Sequence, residues 1–242
     1  MKLKEAIESL GFNAAICLAE KLANKNDSWI AEACSVFSAI AKDPERAPGN
    51  IGGNNDDESA VIKKWLNKYQ KGFDGRASQR TSKQIGTVAD PIIEKIIGAR
   101  LNSLTLEELD KINFAHRLSM GAENILGEIL EEYLAENLKG YGWHCAWGET
   151  VKSVDFVHEN GDLLQIKNRS NSENSSSASV RNGTEIEMWY RIKSDRIEYM
   201  WDALNHICKT THLSEKSFVS FVEKTIKTNP DCLAVEHHNP WK

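Results

Sequence analysis

The sequence predicts an α/β (α+β) fold, in which a central mixed sheet flanked by helices follows a mainly helical N-terminal region. Two features of the chain lead to this prediction. Over residues 1–112 apolar side chains recur mostly with helical period, and after residue 113 one strong helical pattern precedes several short segments of strand character. A helix followed by consecutive strands is typical of a core in which helices cover a sheet. We therefore predict a helical region over 1–112 and a sheet-containing core over 113–242.

The N-terminal region begins with two predicted helices. Apolar residues follow helical spacing over Lys4–Leu22 and Trp29–Ala41. Residues 43–58 interrupt this pattern with proline, glycine, asparagine and acidic side chains, which is typical of an exposed loop.

A basic stripe marks the next predicted helix. Trp65, Tyr69 and Phe73 recur at i, i+4 and i+8, which predicts a buried aromatic face. The basic side chains around them are either an ordinary solvated face or a face that lies along a phosphate backbone, and both interpretations are compatible. These residues are Lys63, Lys64, Lys68, Lys71, Arg76, Arg80 and Lys83.

Two further helices complete this region. Pro91 is well placed in the first turn of a helix that ends near Leu101, because its fixed φ suits that position. Thr105 and Glu108 resemble a capping box at the start of a short helix, Leu104–Ile112.

The predicted core begins with the helix Ala122–Asn137, whose apolar residues form one stripe that would pack against a sheet. Strands are predicted near Gly142–Trp147, Val151–Val157 and Leu163–Lys167. A polar segment follows, and further helices are predicted around residues 201–209 and 214–228.

Asp155, Gln165 and Lys167 fall on the two arms of a predicted β-hairpin. Gln165 and Lys167 alternate with apolar residues, so they share the polar face of their strand. A two-residue Asn160-Gly161 loop would put Asp155 on the face opposite Gln165. A three-residue loop with Gly161 left-handed would bring Asp155 directly across from Gln165. The chemistry of the three polar groups favours the three-residue form.

This spacing is that of a metal-dependent phosphodiesterase site. Asp155 would supply a carboxylate to a hard divalent cation, for which Mg²⁺ is the expected ion, and the backbone carbonyl of Ile166 is a plausible further ligand. Lys167 would orient or help to deprotonate the attacking water and offset charge on the phosphate. The alternative is an ordinary exposed strand face that carries a charge and an amide.

A run rich in Asn, Ser and Arg follows the predicted catalytic strand directly in the sequence. Such a composition usually indicates a flexible linker. Its side chains are also donors and acceptors suited to phosphates and base edges, and an arginine fork can read guanine. The candidate DNA-binding residues are Arg169, Asn171, Asn174, Ser175, Ser176, Ser177 and Arg181.

Three segments of the chain, AENILGEILEEYL, YGWHCAWGETVKSVDF and LLQIKNRSNSENSSSASVRNGTEIEMWYR, resemble the SinI family of type II restriction endonucleases. That family belongs to the PD-(D/E)xK nuclease group, and the likeness covers roughly residues 115–191. The resemblance implies a restriction-endonuclease-like core and Mg²⁺-dependent cleavage of double-stranded DNA at a short palindromic target of the GGWCC kind. It also implies a homodimer, because a palindrome mirrors the two-fold symmetry of its reader, and a DNA methyltransferase in the same host.

The chain departs from the group pattern at two positions. Val154 stands where proline is usual, and Gln165 replaces an acidic residue, so a second carboxylate is expected from elsewhere. In this group a glutamate of the first core helix often joins the metal site, frequently four residues after a glycine. Gly127 and Glu131 match that spacing, so Glu131 is the first candidate. Glu128 is the second candidate and Glu149 the third.

Composition limits the class of protein. A hydrophobic content of 40% and a charged content of 27% are typical of a globular protein. With no long apolar run and no signal-peptide pattern, we expect a cytoplasmic protein without membrane contact. Five scattered cysteines exclude a complete disulfide framework. The net charge of −5 does not exclude DNA, because local basic patches determine affinity. A structure-selective repair or junction nuclease and a non-catalytic DNA-binding protein remain alternatives.

Overall fold

The computed structural model describes residues 1–23, 28–83, 90–170 and 185–242. Eight α-helices lie in these ranges, and they account for most of the regular structure. They are α1 (Leu3–Leu10), α2 (Phe12–Leu22), α3 (Ile30–Lys42), α4 (Glu58–Asp74), α5 (Pro91–Arg100), α6 (Leu106–Leu138), α7 (Trp201–Ile207) and α8 (Glu215–Thr228).

The strands form one sheet in the order β1-β2-β3-β4. They are β1 (Trp143–Cys145), β2 (Phe156–His158), β3 (Leu163–Arg169) and β4 (Ile186–Ile192). The β1–β2 and β2–β3 pairs are antiparallel and the β3–β4 pair is parallel. The predicted mixed sheet with flanking helices is therefore confirmed.

Two helix predictions differ from the structure. Lys4–Leu22 is two helices, because Gly11 adopts φ +74° and ends α1. The two helices predicted on either side of residues 113–121 are one continuous helix, α6, which begins with the predicted Thr105–Glu108 capping box. The intervening residues contain no proline, so the helix continues although its apolar stripe is interrupted. The predicted division at 112/113 falls inside α6 and stays a prediction.

Strand β4 has no counterpart among the predicted strands, which end at Lys167. Its six paired positions with β3 begin at Leu163–Ile186 and end at Arg169–Ile192. One strand was predicted too long, because only the end of the predicted strand Val151–Val157 belongs to β2. The preceding residues form a turn, in which Ser153 has φ +60°.

The aromatic face of α4 is part of the hydrophobic core, as predicted. Trp65 and Tyr69 are fully buried, and Trp65 packs edge-on against Phe37. Each also donates a hydrogen bond to a backbone carbonyl: Tyr69 Oη to Cys145 at the end of β1 (3.1 Å) and Trp65 Nε1 to Thr150 in the segment between β1 and β2 (2.9 Å). Helix α4 therefore fixes the segment that leads into β2.

A glycine pair allows this close approach. A Cβ atom on Gly72 of α4 would clash with the backbone of Gly148, and one on Gly148 would clash with the Lys68 carbonyl. Gly148 also has φ +74°, which favours glycine there. None of the five cysteines forms a disulfide. No described helix is both long enough and apolar enough to span a membrane.

Candidate active site at the β2–β3 hairpin

The hairpin has the three-residue loop that the sequence favoured. The His158 N–H donates to the Asp162 carbonyl (2.9 Å), and the Gly161 N–H donates to the His158 carbonyl (2.8 Å). Gly161 has φ +102°. In the resulting register Phe156 pairs with Leu164 and Val157 pairs with Leu163. That loop form is thus confirmed, and it brings Asp155 to the polar face of β3.

Asp155 is held by its backbone and by its side chain. Its N–H donates to the Leu164 carbonyl (3.0 Å), so regular pairing ends one residue before the predicted Asp155–Gln165 pair. Its carboxylate Oδ2 accepts a 2.7 Å hydrogen bond from the Ile166 N–H. The N–H and C=O of one residue in a strand point to the same edge. The Ile166 carbonyl therefore faces the edge that carries Asp155.

Asp155, Gln165 and Lys167 line one open cleft, and Lys68 of α4 and Glu149 line it as well. The opposite face of β3 is packed into the core, where Leu164 is fully buried. Gln165 is only 8% exposed although it borders the cleft, so its amide is fixed by its surroundings rather than free in solvent.

The carboxylates of Asp155 and Glu131 are in an unfavourable electrostatic environment. Burial raises the pKa of Asp155 to about 6, against hydrogen bonding from Ile166 and the attraction of Lys167. Burial also raises the pKa of Glu131 to about 8, and the negative charge of Asp155 adds to the effect. Glu149 raises the pKa of both groups. A divalent cation near two desolvated carboxylates that repel each other would favour their ionised forms.

These pKa shifts predict that the protein without divalent metal loses stability as pH rises. Both folded-state pKa values lie above the ordinary values of 3.8 and 4.5, so the folded protein retains protons that the unfolded chain has released. The contribution of these two groups to the free energy of unfolding is fully present below those ordinary values. It is lost as pH rises through about 6 for Asp155 and about 8 for Glu131. Melting temperatures at pH 5 and pH 8 in EDTA test this. Glu131→Gln should reduce the fall in melting temperature between pH 5 and pH 8. An unchanged fall would contradict the assignment of a raised pKa to Glu131.

The three glutamates on this part of α6 have different partners. Glu128 accepts a 2.6 Å hydrogen bond from Arg80. Glu132 is buried, accepts from the Ser78 N–H (2.9 Å) and lies 3.4 Å from Arg76. These contacts attach the segment after α4 to α6. Glu131 is the member of the three whose charge interacts with Asp155 and Lys167.

Lys68 and Glu149 were only partly anticipated. Sequence reasoning placed Lys68 within a general basic stripe and ranked Glu149 third among the carboxylates. Lys68 Nζ donates to the Glu149 carbonyl (3.1 Å), and Glu149 has φ +54°. The proximity of α4 to the β1–β2 connection has no local signal in the sequence. Only the basic character of the stripe pointed to Lys68.

Arg169 is exposed at the end of β3, beside the cleft-lining part of the strand. The other candidate DNA-binding residues lie outside the residues that the structure describes. They are Asn171, Asn174, Ser175, Ser176, Ser177 and Arg181.

The described residues contain no group of three or more His, Cys, Asp or Glu side chains arranged to hold a metal ion. The oxygen donors at the cleft are instead the carboxylates of Asp155 and Glu149, which line it, and the nearby backbone carbonyl of Ile166, while Glu131 is coupled electrostatically to Asp155 but is not among the cleft-lining residues. Oxygen donors of this kind suit a hard cation such as Mg²⁺, which usually keeps several water ligands. The donor set therefore fits a weakly held, partly hydrated ion better than a closed structural metal site.

Comparison with known proteins identifies one family model, described as SinI restriction endonuclease, which matches residues 15–228. The type II restriction enzyme Eco47I of Escherichia coli is 42% identical over 142 residues, which are 57% of this chain and 61% of that enzyme. The type II restriction enzyme SinI of Salmonella infantis is 38% identical over 146 residues, which are 58% of this chain and 63% of that enzyme. The matched region thus spans about three fifths of the length of each relative.

Proposed function

The chain belongs to the SinI restriction endonuclease family, and from that membership we propose that it is a type II restriction endonuclease that hydrolyses double-stranded DNA with Mg²⁺. The observation that carries the proposal is the cleft shared by Asp155, Gln165 and Lys167. The two relatives that are named as type II restriction enzymes also support the proposal.

In this proposal Asp155, Glu131 and the Ile166 carbonyl would hold the cation. The raised pKa values of the two carboxylates support the assignment, because a bound cation would favour their ionised forms. When bound, Mg²⁺ would supply Lewis-acid polarisation of the phosphate and a lower pKa for an attacking water. Gln165 contributes an amide oxygen without charge, which is why Glu131 is needed as the second acidic group.

The protein's own cationic side chains act on the phosphate and the water. Lys167 Nζ, on the cleft face of β3, donates to the attacking water and offsets the charge that develops on the phosphate. Lys68 lines the same cleft and would contact the backbone phosphate. Hydrolysis by direct attack of water at phosphorus would leave a 5′-phosphate and a 3′-hydroxyl.

We further propose a short palindromic target of the GGWCC kind, read by a homodimer. Arg169 is a candidate reader of guanine, because a bidentate Arg–guanine contact contributes about 1–3 kcal/mol of discrimination. The polar residues of 171–181 named above are the further candidates. A methyltransferase in the same host would protect the target.

A digest of plasmid and phage DNA tests the proposed function. Incubation with Mg²⁺ should give discrete fragments, EDTA should prevent cleavage, and sequencing of the ends should return one short symmetric site. Absence of cleavage at any Mg²⁺ concentration would contradict the proposal and favour a non-catalytic DNA-binding protein, for which the uncharged Gln165 is the supporting observation. Cleavage confined to branched DNA would favour a junction nuclease.

The choice among the α6 glutamates gives a matched pair of variants. Glu131→Gln should lower the single-turnover cleavage rate by about 100-fold or more, because it removes a proposed charged ligand. Glu128→Gln changes the same chemical group one helical turn away, where Arg80 is the partner, and should keep the rate within roughly 10-fold. Equal losses in both variants would remove Glu131 from the metal site. Titration of Mg²⁺ with each protein separates a ligand defect from a folding defect.

A further inference from the structure

Helix α5 and the first half of α6 form an arm with an apolar outer side. Helix α5 has no buried residue in the structure, although six of its ten residues are isoleucine, alanine or glycine. Ile92 is 57% exposed, Ile96 is 63% exposed, and Leu106 at the start of α6 is 79% exposed. Large aliphatic side chains are normally removed from water, so this degree of exposure along one helix is unusual.

The inner side of the arm is packed and hydrogen-bonded. Asn113 Nδ2 donates to Glu94 (2.6 Å), which joins the two helices. Gly98 lies against the side chain of Leu109, which is 7% exposed. Arg117 pairs with Glu236 (2.7 Å) and attaches α6 to the C-terminal segment. The arm is therefore held in place, and its exposed apolar side is not explained by a poorly packed hairpin.

The outer residues share one side of α5. Ile92, Ile96 and Ala99 follow at i, i+4 and i+7, on the side opposite Glu94, which faces α6. This spacing is that of a helix face that packs against another helix. Within the described chain no other segment covers it.

The exposed area fits one half of a dimer interface. The five large aliphatic side chains of this outer surface present about 550 Å² of apolar area, if a fully exposed residue of this size offers roughly 190 Å². A stable interface buries about 800 Å² per partner, of which somewhat more than half is apolar. The residues are Ile92, Ile93, Ile96, Leu101 and Leu106.

We propose that this outer surface of the α5–α6 arm joins two copies of the chain about a two-fold axis, with α5 of one copy antiparallel to α5 of the other. The charges of α5 support self-pairing, because its N-cap is Asp90 and its last residue is Arg100. An antiparallel pair places each acidic end near the basic end of the other copy. Aliphatic side chains provide no hydrogen bond to DNA, so a protein partner fits this surface and a nucleic acid does not.

The choice of a second copy rests in part on the proposed function. Cleavage of both strands at a two-fold symmetric target requires two active sites, which a two-fold dimer of this chain supplies. The proposed catalytic cleft is lined by residues of β3, of α4 and of the α3–α4 and β1–β2 connections, and none of its lining residues belongs to α5 or to the first half of α6. The dimer surface and the chemistry are therefore separable by mutation.

Sedimentation equilibrium of the full chain, without DNA and without divalent metal, tests the inference. The wild-type protein should show twice the chain mass of 27.2 kDa at micromolar concentration. The double variant Ile92→Glu/Ile96→Glu should be monomeric, with at least a 100-fold weaker association. Val219→Glu is the matched control, since Val219 is a 45% exposed apolar residue on α8, and it should remain dimeric.

Circular dichroism establishes that each variant is folded, and Ile92→Ser/Ile96→Ser gives a milder second test of the same surface. A wild-type protein that stays monomeric overturns the inference, as does a folded Ile92→Glu/Ile96→Glu protein that still dimerises with wild-type affinity. Because mass is measured without DNA, the inference can stand if the digest shows no nuclease. It can also fail while the digest succeeds.

Discussion

Asp155→Ala is expected to reduce the rate of DNA cleavage by about 1000-fold or more, equivalent to roughly 4 kcal/mol of transition-state stabilisation. The side chain is the carboxylate of the proposed metal site on the β2–β3 hairpin, and its Oδ2 also accepts the Ile166 N–H. Asp155→Asn separates these two roles, because the amide oxygen can still accept that hydrogen bond but has no charge. Both variants should lose cleavage if the charge is what matters.

The measurement is single-turnover cleavage at saturating enzyme, across a range of Mg²⁺ concentrations. Asp162→Asn is the matched control, because Asp162 lies on the same hairpin, is exposed and is bonded to Asn160 rather than to the cleft. It should cleave at close to the wild-type rate. Wild-type cleavage by Asp155→Asn would contradict the proposed role of the carboxylate.

Protein stability distinguishes a lost function from a lost fold. Burial raises the pKa of Asp155 to about 6, so at pH 8 without metal the folded protein carries a desolvated charge there. Asp155→Asn removes that charge and should melt no lower than the wild-type protein under these conditions. An inactive variant with a preserved melting temperature therefore reports on chemistry.

Lys167→Met is expected to abolish cleavage while specific DNA binding is retained. The substitution keeps most of the aliphatic length and removes the ammonium group that would orient water and offset phosphate charge. The expected loss of rate is about 1000-fold. Binding to the target, measured with Ca²⁺ in place of Mg²⁺, should weaken by no more than about 10-fold, because a single phosphate contact is a small part of DNA affinity.

Lys152→Met is the control for Lys167, since Lys152 is an exposed lysine that lines the same cleft from the β1–β2 connection. It should change affinity and salt dependence more than the rate at saturation. If Lys152→Met and Lys167→Met lose the same fraction of single-turnover rate, Lys167 has no specific part in the chemistry.

Local features of the structure were predictable because they depend on neighbouring residues. The capping box of Thr105 and Glu108 and the aromatic face of α4 follow from side-chain spacing along one helix. The errors were also local in origin. Residues 113–121 interrupt the apolar stripe but contain no proline, so α6 continues where periodicity alone suggested a gap.

Partners distant in the sequence were not predictable in the same way. The strand β4 pairs in parallel with β3 across a connection that contains the Asn/Ser-rich run, and parallel pairing leaves no short turn signal between the strands. Likewise, the glycines Gly72 and Gly148 indicate a close approach only when both backbones are seen together.

The sequence by itself determined the shared face of Gln165 and Lys167 and limited the hairpin to two registers, because strand alternation and the conformational freedom of Gly161 act over a few residues. Only the tertiary structure decided which glutamate of α6 interacts electrostatically with Asp155. Helix periodicity leaves Glu128 and Glu131 nearly equivalent, whereas desolvation and Coulomb forces depend on distances across the packed helix–sheet interface. Those distances exist only after α6 has docked on the sheet.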